Sequence, residues 1–161
     1  MKYIEIKNKK QEDTNKLFET LGVFWAFSNK QFEEGYAKAK LSMAEGEKLV
    51  DIGAGGYMPK HNVEALKNGM KEIEKTFKAS IKEAKAREEH ILYELNNHEA
   101  YYTGTTEDTK EALGEDYTNE EIQKVFNANR KQYLMQDEQG TIHNISDREA
   151  EYITNNKQDE Y

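Results

Sequence analysis

The sequence predicts a predominantly α-helical α+β fold, in which one long helix packs with shorter helices and a small N-terminal β-sheet. Apolar residues recur at spacings of three and four between residues 63 and 98, which is the period of an amphipathic helix. Proline occurs once, at Pro59, so little interrupts helices elsewhere. The composition, with 36% hydrophobic and 34% charged residues, favours exposed helices over a thick sheet sandwich.

Five elements are predicted before the glycine-rich segment 53–56. They alternate as strand, helix, strand, helix and strand, over residues 2–7, 12–21, 23–27, 29–41 and 48–52. The segment 23–27 is a compact run of apolar, β-favouring residues, which indicates a buried strand. Ser28 and Gln31 form a capping-box signal for the second helix. The strands are expected to pair in one small sheet.

The long helix is expected to begin after Asn62, a favourable N-cap, and to end near residue 98. Its length would be about 50 Å. Its apolar stripe needs a partner surface, which is either the smaller elements folded back on it or a second copy of the chain in a homodimer. Beyond it, a short helix is predicted over 106–113, and Thr118 with Glu121 forms a capping box that starts another.

The chain of 161 residues is interpreted as one domain over residues 1–135, followed by an acidic, partly mobile tail over 136–161. It contains no cysteine, which excludes disulfides, thiolate metal sites and a cysteine nucleophile, and which fits a cytoplasmic protein. The first residues are charged and lack the apolar core of a signal peptide. No apolar run approaches the roughly 18 residues of a membrane span, so no membrane partner is expected.

The net charge of −8 is unevenly distributed. Residues 1–93 carry 17 basic and 15 acidic groups, whereas residues 94–121 carry nine acidic groups and one lysine. Such a block repels nucleic acid and suits a basic partner or a cation; the alternative is a solvated, solubilising surface. Tyrosines beside carboxylates make the same segment a candidate protein-binding surface, unless their rings simply pack against the long helix. The residues predicted for this surface are Tyr101, Tyr102, Glu107, Asp108, Glu115, Asp116 and Tyr117.

A second candidate site lies at the end of the long helix, where His90, Glu94 and His98 follow at four-residue intervals and Glu99 comes next. Neighbouring side chains at this spacing are about 6 Å apart on one helix face and can share a divalent ion, most simply zinc. A complete site needs a further ligand, for which Glu99, His61 and His143 are the candidates. Glu94 or Glu99 would then be the general base of a metal-dependent hydrolase or nuclease. Glu94 and His98 continue the apolar stripe, and the alternative for them is structural hydrogen bonding to Arg87, a tyrosine or the backbone.

Two further patterns point to other chemistry, and the surroundings of each argue against it. The string at 49–56 resembles the first motif of S-adenosylmethionine-dependent methyltransferases, but no helix directly follows its glycines. A turn with glycines at positive φ is the simpler interpretation. Lysines recur at spacings of three and four along the long helix, but interspersed glutamates dilute their field and no aromatic side chains interleave with them, so direct nucleic-acid binding is not expected.

Three segments resemble motifs from small, uncharacterised proteins of bacteriophages and mobile elements in low-GC bacteria. They are residues 22–35 (GVFWAFSNKQFEEG), 53–62 (GAGGYMPKHN) and 97–104 (NHEAYYTG). In size, origin and acidity the chain is similar to anti-CRISPR inhibitors of type II Cas nucleases. The resemblance implies a non-enzymatic inhibitor that binds a host nucleic-acid-handling protein, most plausibly a type II CRISPR nuclease, through the acidic, tyrosine-rich surface. A divalent metal at the His90, Glu94 and His98 positions would order that surface.

Overall fold

The structure of the chain is a computed structural model, which describes residues 2–130, 133–136 and 142–145. The described residues form seven α-helices and five short strands, so the predicted α-rich α+β class is confirmed. In chain order the elements are α1 Lys2–Thr20, β1 Phe24–Trp25, α2 Asn29–Lys40, β2 Leu49–Gly53, β3 Gly56–Pro59, α3 Val63–Ala84, α4 Arg87–Asn97, α5 Ala100–Thr103, α6 Glu107–Leu113, α7 Asn119–Asn129, β4 Tyr133–Gln136 and β5 Ile142–Ile145.

The contacts divide the chain into two compact units, Met1–Ala84 and Lys85–Tyr161. Compact contact units are not necessarily independently folding domains, so the single domain over residues 1–135 stays a prediction. Most of the predicted mobile tail, namely 137–141 and 146–161, lies outside the described residues. The described part of that segment belongs to a two-stranded antiparallel hairpin of β4 and β5, which the sequence interpretation missed.

In the first unit, α1 packs along α3, and the predicted strand over residues 2–7 is wrong. These residues form the first turns of α1. A helix brings Tyr3 and Lys10, two turns apart, onto the same ring of α3: Tyr3 meets Phe77 edge-on at 6.3 Å between centroids, and the Lys10 ammonium lies 4.2 Å from the centre of that ring. The alternation of a strand would not place both side chains on one ring. At least α1 therefore folds back on α3. This was one of the two alternatives predicted from the sequence, the other being a second copy of the chain.

The first unit also holds a three-stranded antiparallel sheet in the order β1-β3-β2. The predicted strand over 48–52 is confirmed as β2, while the predicted buried strand over 23–27 is only β1, at the sheet edge. Trp25 is 43% exposed and Phe27 is 78% exposed, so the expectation of burial was wrong there. The central strand is β3, whose Met58 is fully buried and which was not predicted from the sequence.

The glycine-rich segment 53–56 is the hairpin turn between β2 and β3. Gly53, Ala54 and Gly55 have φ values of 89°, 51° and 77°, a left-handed conformation that glycine adopts without steric cost. The turn leads into a strand rather than a helix, so the backbone lacks the strand–turn–helix geometry of a nucleotide-cofactor motif. The sequence interpretation as a positive-φ turn is confirmed.

The prediction of a single helix over 63–98 is wrong, because the helical conformation is interrupted between α3 and α4. Lys85 adopts a left-handed φ of 53°, and α4 begins at Arg87. His98 is the C-cap of α4, and Glu99 follows in a left-handed conformation with φ of 52°. The predicted homodimer was to pair through one long helix, which the structure does not contain. Dimerisation by another surface stays a prediction. Among the described residues, no helix combines the length and apolar character needed to cross a membrane.

Candidate functional site

The predicted site residues all lie in the second unit, around a core formed by α4, α5, α6, α7 and the adjoining loops. The buried members of this core are Ile91, Leu95, Ala100, Leu113, Tyr117, Ile122, Val125 and Phe126. Two local signals read from the sequence place its helices. Gly114 ends α6 as its C-cap, and the capping box of Thr118 and Glu121 starts α7. Most of the candidate residues thus lie on or beside short helices, of which α6 ends at a glycine and α7 begins at a capping box.

His90 is a structural hydrogen-bonding residue in this arrangement. Its Nδ1 lies 2.6 Å from the hydroxyl oxygen of Tyr117, and the two rings meet edge-on at 5.2 Å between centroids. Tyr117 is only 5% exposed, and burial raises the pKa of its hydroxyl. Tyr117 therefore belongs to the core and does not lie on the exposed partner-binding surface predicted for it. Hydrogen bonding to a tyrosine was the structural alternative predicted for Glu94 and His98, whereas the structure shows it at His90.

Arg87 joins the start of α4 to the start of α7. Its Nε and Nη2 donate to the two carboxylate oxygens of Glu121 at 2.7 and 3.0 Å, and its guanidinium lies 3.9 Å from the centre of the Tyr117 ring. Glu121 also accepts a hydrogen bond from the Thr118 backbone at 2.9 Å. Arg87 and these further donors lower the pKa of Glu121 to about 2. Arg87 also donates to the backbone carbonyl of Asp116, so that predicted partner-binding position is part of the same structural network.

Glu94 and His98 are the two predicted metal ligands that remain close to each other. The Nε2 atom of His98 lies 3.4 Å from a carboxylate oxygen of Glu94. His61 lies in the other unit, where its Nδ1 is 2.6 Å from Glu47. Within the part of the chain that the structure describes, no group of three or more His, Asp or Glu side chains is arranged to hold a metal ion. Glu94 and His98 would supply two of the four ligands of a tetrahedral zinc site, so metal binding stays a prediction.

The three tyrosines predicted for the partner surface have different environments. Tyr101 stacks on Phe126 at 4.9 Å between ring centroids, and burial raises the pKa of its hydroxyl. Tyr102 is 44% exposed, and it alone among the three presents much of its ring to solvent. Two of the three rings therefore support the core, which was the packing alternative for tyrosines in this segment.

The exposed acidic groups lie on α6, α7 and the loop between these helices. We call Glu107, Asp108, Glu111, Glu115 and Glu120 the α6–α7 carboxylates; all five are exposed. Glu107, Asp108 and Glu115 were predicted for this surface from the sequence, whereas Glu111 and Glu120 were not. Among the described residues, none of these five carboxylates has an ion-pair partner within 4.0 Å.

Lys110 is the one lysine within residues 107–120, and its ammonium group forms no ion pair with the α6–α7 carboxylates. The ammonium of Lys110 donates to the backbone carbonyl of Gly114 at 2.9 Å and to that of Tyr117. Lys110 is thus engaged with the carbonyl groups that follow α6, where a positive charge also complements the helix dipole. An open groove between α6 and α7 is lined by the carboxylates of Glu107, Glu111 and Glu120 and also by the side chains of Lys110 and Lys124.

A family model with the description "Family of unknown function (DUF7659)" matches residues 2–132, which include the predicted site residues apart from the candidate further ligand His143. No curated protein and no solved structure matches the chain.

Proposed function

The chain belongs to the DUF7659 family, whose description names no activity, and we propose for it a binding function without catalysis. In this proposal the α6–α7 carboxylates bind the positively charged nucleic-acid-binding surface of a partner protein. The partner is a host nucleic-acid-handling enzyme, and occupation of its basic surface inhibits it. The resemblance in size, origin and acidity makes type II CRISPR nucleases the first partners to test.

The observation that supports this proposal most directly is that none of the α6–α7 carboxylates has an ion-pair partner within 4.0 Å among the described residues. Glu107 and Glu111 are one turn apart on α6, where like charges at this spacing destabilise a helix by about 0.2–0.5 kcal/mol. The nearest basic side chain in sequence, Lys110, is engaged with backbone carbonyls. Unpaired charges of one sign produce a field that attracts a surface of the opposite sign and accelerates association with it.

The sign of this field decides between classes of partner. Phosphates would be repelled by the same carboxylates that attract lysine and arginine, so nucleic acid is not the expected ligand. Among the exposed lysines of α3, Lys67 pairs with Glu64 at 2.9 Å and Lys75 pairs with Glu72 at 3.9 Å. A protein surface that itself binds phosphates has the complementary charge.

The test compares two variants that remove the same net charge. One carries Glu107→Gln, Asp108→Asn and Glu111→Gln. The matched control carries Glu12→Gln, Glu64→Gln and Glu72→Gln, which are exposed acids paired with lysines. Affinity for a panel of guide-loaded type II CRISPR nucleases and other basic nucleases is measured by titration at several salt concentrations.

We expect the first variant to bind about ten-fold more weakly and with a shallower salt dependence, since each exposed ion pair contributes roughly 0.5 kcal/mol. The control variant should bind as the unmodified protein does. Equal affinity of all three proteins, or no binding to any nuclease of the panel, would contradict the proposal.

The rival proposal is a metal-dependent hydrolase that uses Glu94, His98 and Glu99. The 3.4 Å separation of Glu94 and His98 is the observation in its favour. Elemental analysis of the purified protein, followed by nuclease and phosphatase assays with the metal found, separates the two proposals. Stoichiometric zinc with turnover that Glu94→Gln abolishes supports the enzyme, whereas metal without turnover supports a structural ion that orders the surface.

A further inference from the structure

An open depression of about 310 Å³ lies on the second unit, where α4 ends and α5 begins. Its lining residues are Leu95, Asn96, Glu99, Tyr101 and Tyr102. We propose that this depression binds the guanidinium group of an arginine side chain on the partner protein. The inference rests on the proposed function, because it names the contact that would give a broadly acidic surface its specificity.

The charged and polar groups of the depression match a cation that donates several hydrogen bonds. Glu99 is exposed, and its carboxylate has no ion-pair partner among the described residues. The amide nitrogen of Asn96 donates to the Leu92 carbonyl at 2.9 Å, which leaves the side-chain oxygen of Asn96 as an acceptor. Among the described residues, no basic side chain lines the depression. The C-terminal end of α4, an eleven-residue helix, adds the negative pole of its dipole.

The aromatic residues of the depression provide an exposed ring for the cation. Tyr102 is 44% exposed, so its ring is open to contact. Tyr101 is fixed by stacking on Phe126. Among the described residues, the hydroxyl of Tyr101 is the single buried side-chain polar atom that has no hydrogen-bond partner. Because that atom is buried, the ring of Tyr102 is the aromatic contact for the cation.

Arginine meets these requirements better than lysine does. Its guanidinium is planar, carries five N–H donors in a fixed fork, and stacks on aromatic rings while it hydrogen-bonds to a carboxylate. The lysine ammonium is a strongly hydrated point charge that uses neither the ring face nor several acceptors at once. The depression offers a carboxylate, an amide oxygen and a tyrosine ring on one small surface, so the planar cation is the complementary group.

The test uses the full-length protein and two small probes. Amide resonances of ¹⁵N-labelled protein are followed during titration with N-acetyl-arginine amide and with the citrulline analogue, which has almost the same shape without the charge. We expect saturable shifts from the arginine probe that centre on residues 95, 96, 99 and 102, and little or no shift there from the citrulline probe. Shifts of equal size with both probes, or shifts spread evenly over the α6–α7 carboxylates, would overturn the inference.

Three substitutions sharpen this test. Tyr102→Ala should lower the affinity for the arginine probe about two- to five-fold, which is the effect of losing an exposed cation–π contact. Tyr102→Phe keeps the ring and should retain the affinity. Glu99→Gly should weaken binding and at the same time raise the thermal midpoint, because residue 99 has a left-handed φ of 52° that suits glycine. A rise in midpoint excludes unfolding as the cause of lost binding. Unchanged binding by both Tyr102→Ala and Glu99→Gly would sink the inference.

The two proposals fail in different ways. If the α6–α7 triple variant loses nuclease binding but the arginine probe does not bind the depression, the acidic surface operates without this pocket. If the probe binds as expected but the triple variant keeps its affinity for the nucleases, the depression binds arginine and the proposed partner class is wrong.

Discussion

The two units of this protein differ in how far their acidic side chains are paired and in how far their large apolar side chains are buried. Residues 2–84 contain 15 basic and 13 acidic side chains, and several of the acids are paired within 4.0 Å, as Glu12 with Lys16 and Glu74 with Lys10. Residues 85–130 contain 5 basic and 11 acidic side chains, and the α6–α7 carboxylates have no such partners within the described residues. Several acids of the first unit are thus paired locally, whereas the α6–α7 carboxylates of the second unit have no ion pair within 4.0 Å among the described residues.

The distribution of apolar side chains also differs between the units. The second unit concentrates eight buried residues in one core, and Tyr102 is its single large exposed apolar residue among those described. The first unit leaves several exposed on its surface: Trp25, Phe27, Tyr36, Leu41, Ile52 and Met70. The unit with unpaired charges therefore has the better-buried core. This difference indicates that its acidity is carried by a firm scaffold rather than by a loosely folded segment.

The largest expected effect tests the core of the second unit. Phe126→Ala should lower the free energy of unfolding by about 3–5 kcal/mol, because it removes a buried ring on which Tyr101 stacks. Phe27→Ala in the first unit should change it by less than about 0.5 kcal/mol, since that ring is 78% exposed. Urea denaturation followed by circular dichroism measures both. Equal losses would remove the distinction between a buried core and an exposed aromatic surface.

The next effect tests a close contact in the first unit. A Cβ atom at Gly35 would overlap the Phe24 ring, which stacks on Tyr57 at 5.7 Å between centroids. Gly35→Ala should therefore destabilise the protein by about 1–3 kcal/mol, although alanine favours helices over glycine. The control Glu34→Ala, at an exposed neighbouring position of α2, should be neutral or slightly stabilising. Adding Phe24→Leu to Gly35→Ala should recover part of the loss, and a failure to recover any would contradict the overlap.

A smaller, pH-dependent effect tests the contact between Arg87 and Glu121. The folded state lowers the pKa of Glu121 from 4.5 to about 2, so the stabilisation is complete above pH 4.5 and is lost as the pH falls towards 2. Its size should be about 1 kcal/mol, because both side chains are roughly two-fifths exposed and solvent screens them. Glu121→Gln keeps the hydrogen-bonding capacity of the capping box. It should remove this part of the stability change between pH 5 and 3 in denaturant titrations, and an unaltered pH dependence would contradict the assignment.

The smallest effect contrasts the surface charges of the two units directly. Glu111→Gln should stabilise the protein by about 0.2–0.5 kcal/mol, because it relieves repulsion from Glu107 one turn earlier on α6. Glu64→Gln should destabilise it by a similar amount, because it removes the 2.9 Å ion pair with Lys67. Thermal midpoints at low ionic strength measure both, and added salt should diminish both. Changes of the same sign would break the comparison between paired and unpaired acids.

Elements with strong local signals could be predicted from the sequence. The Ser28 cap places the start of α2, Thr118 with Glu121 places α7, and Gly114 ends α6. These signals succeed because a cap acts through hydrogen bonds within one turn of the chain, so neighbouring residues suffice to determine it. The acidity of residues 94–121 is equally a property of the sequence.

The break at Lys85 and the roles of the candidate site residues depended on contacts between distant parts of the chain. Apolar spacing continues from α3 into α4, so periodicity predicted one helix, while Arg87 pairs with Glu121 34 residues further along and His90 with Tyr117 27 residues further along. The sequence by itself determined the fold class, the capped helices and the acidic segment. Only the tertiary structure decided which carboxylates stay unpaired, because pairing and burial depend on side chains that folding brings together from distant positions.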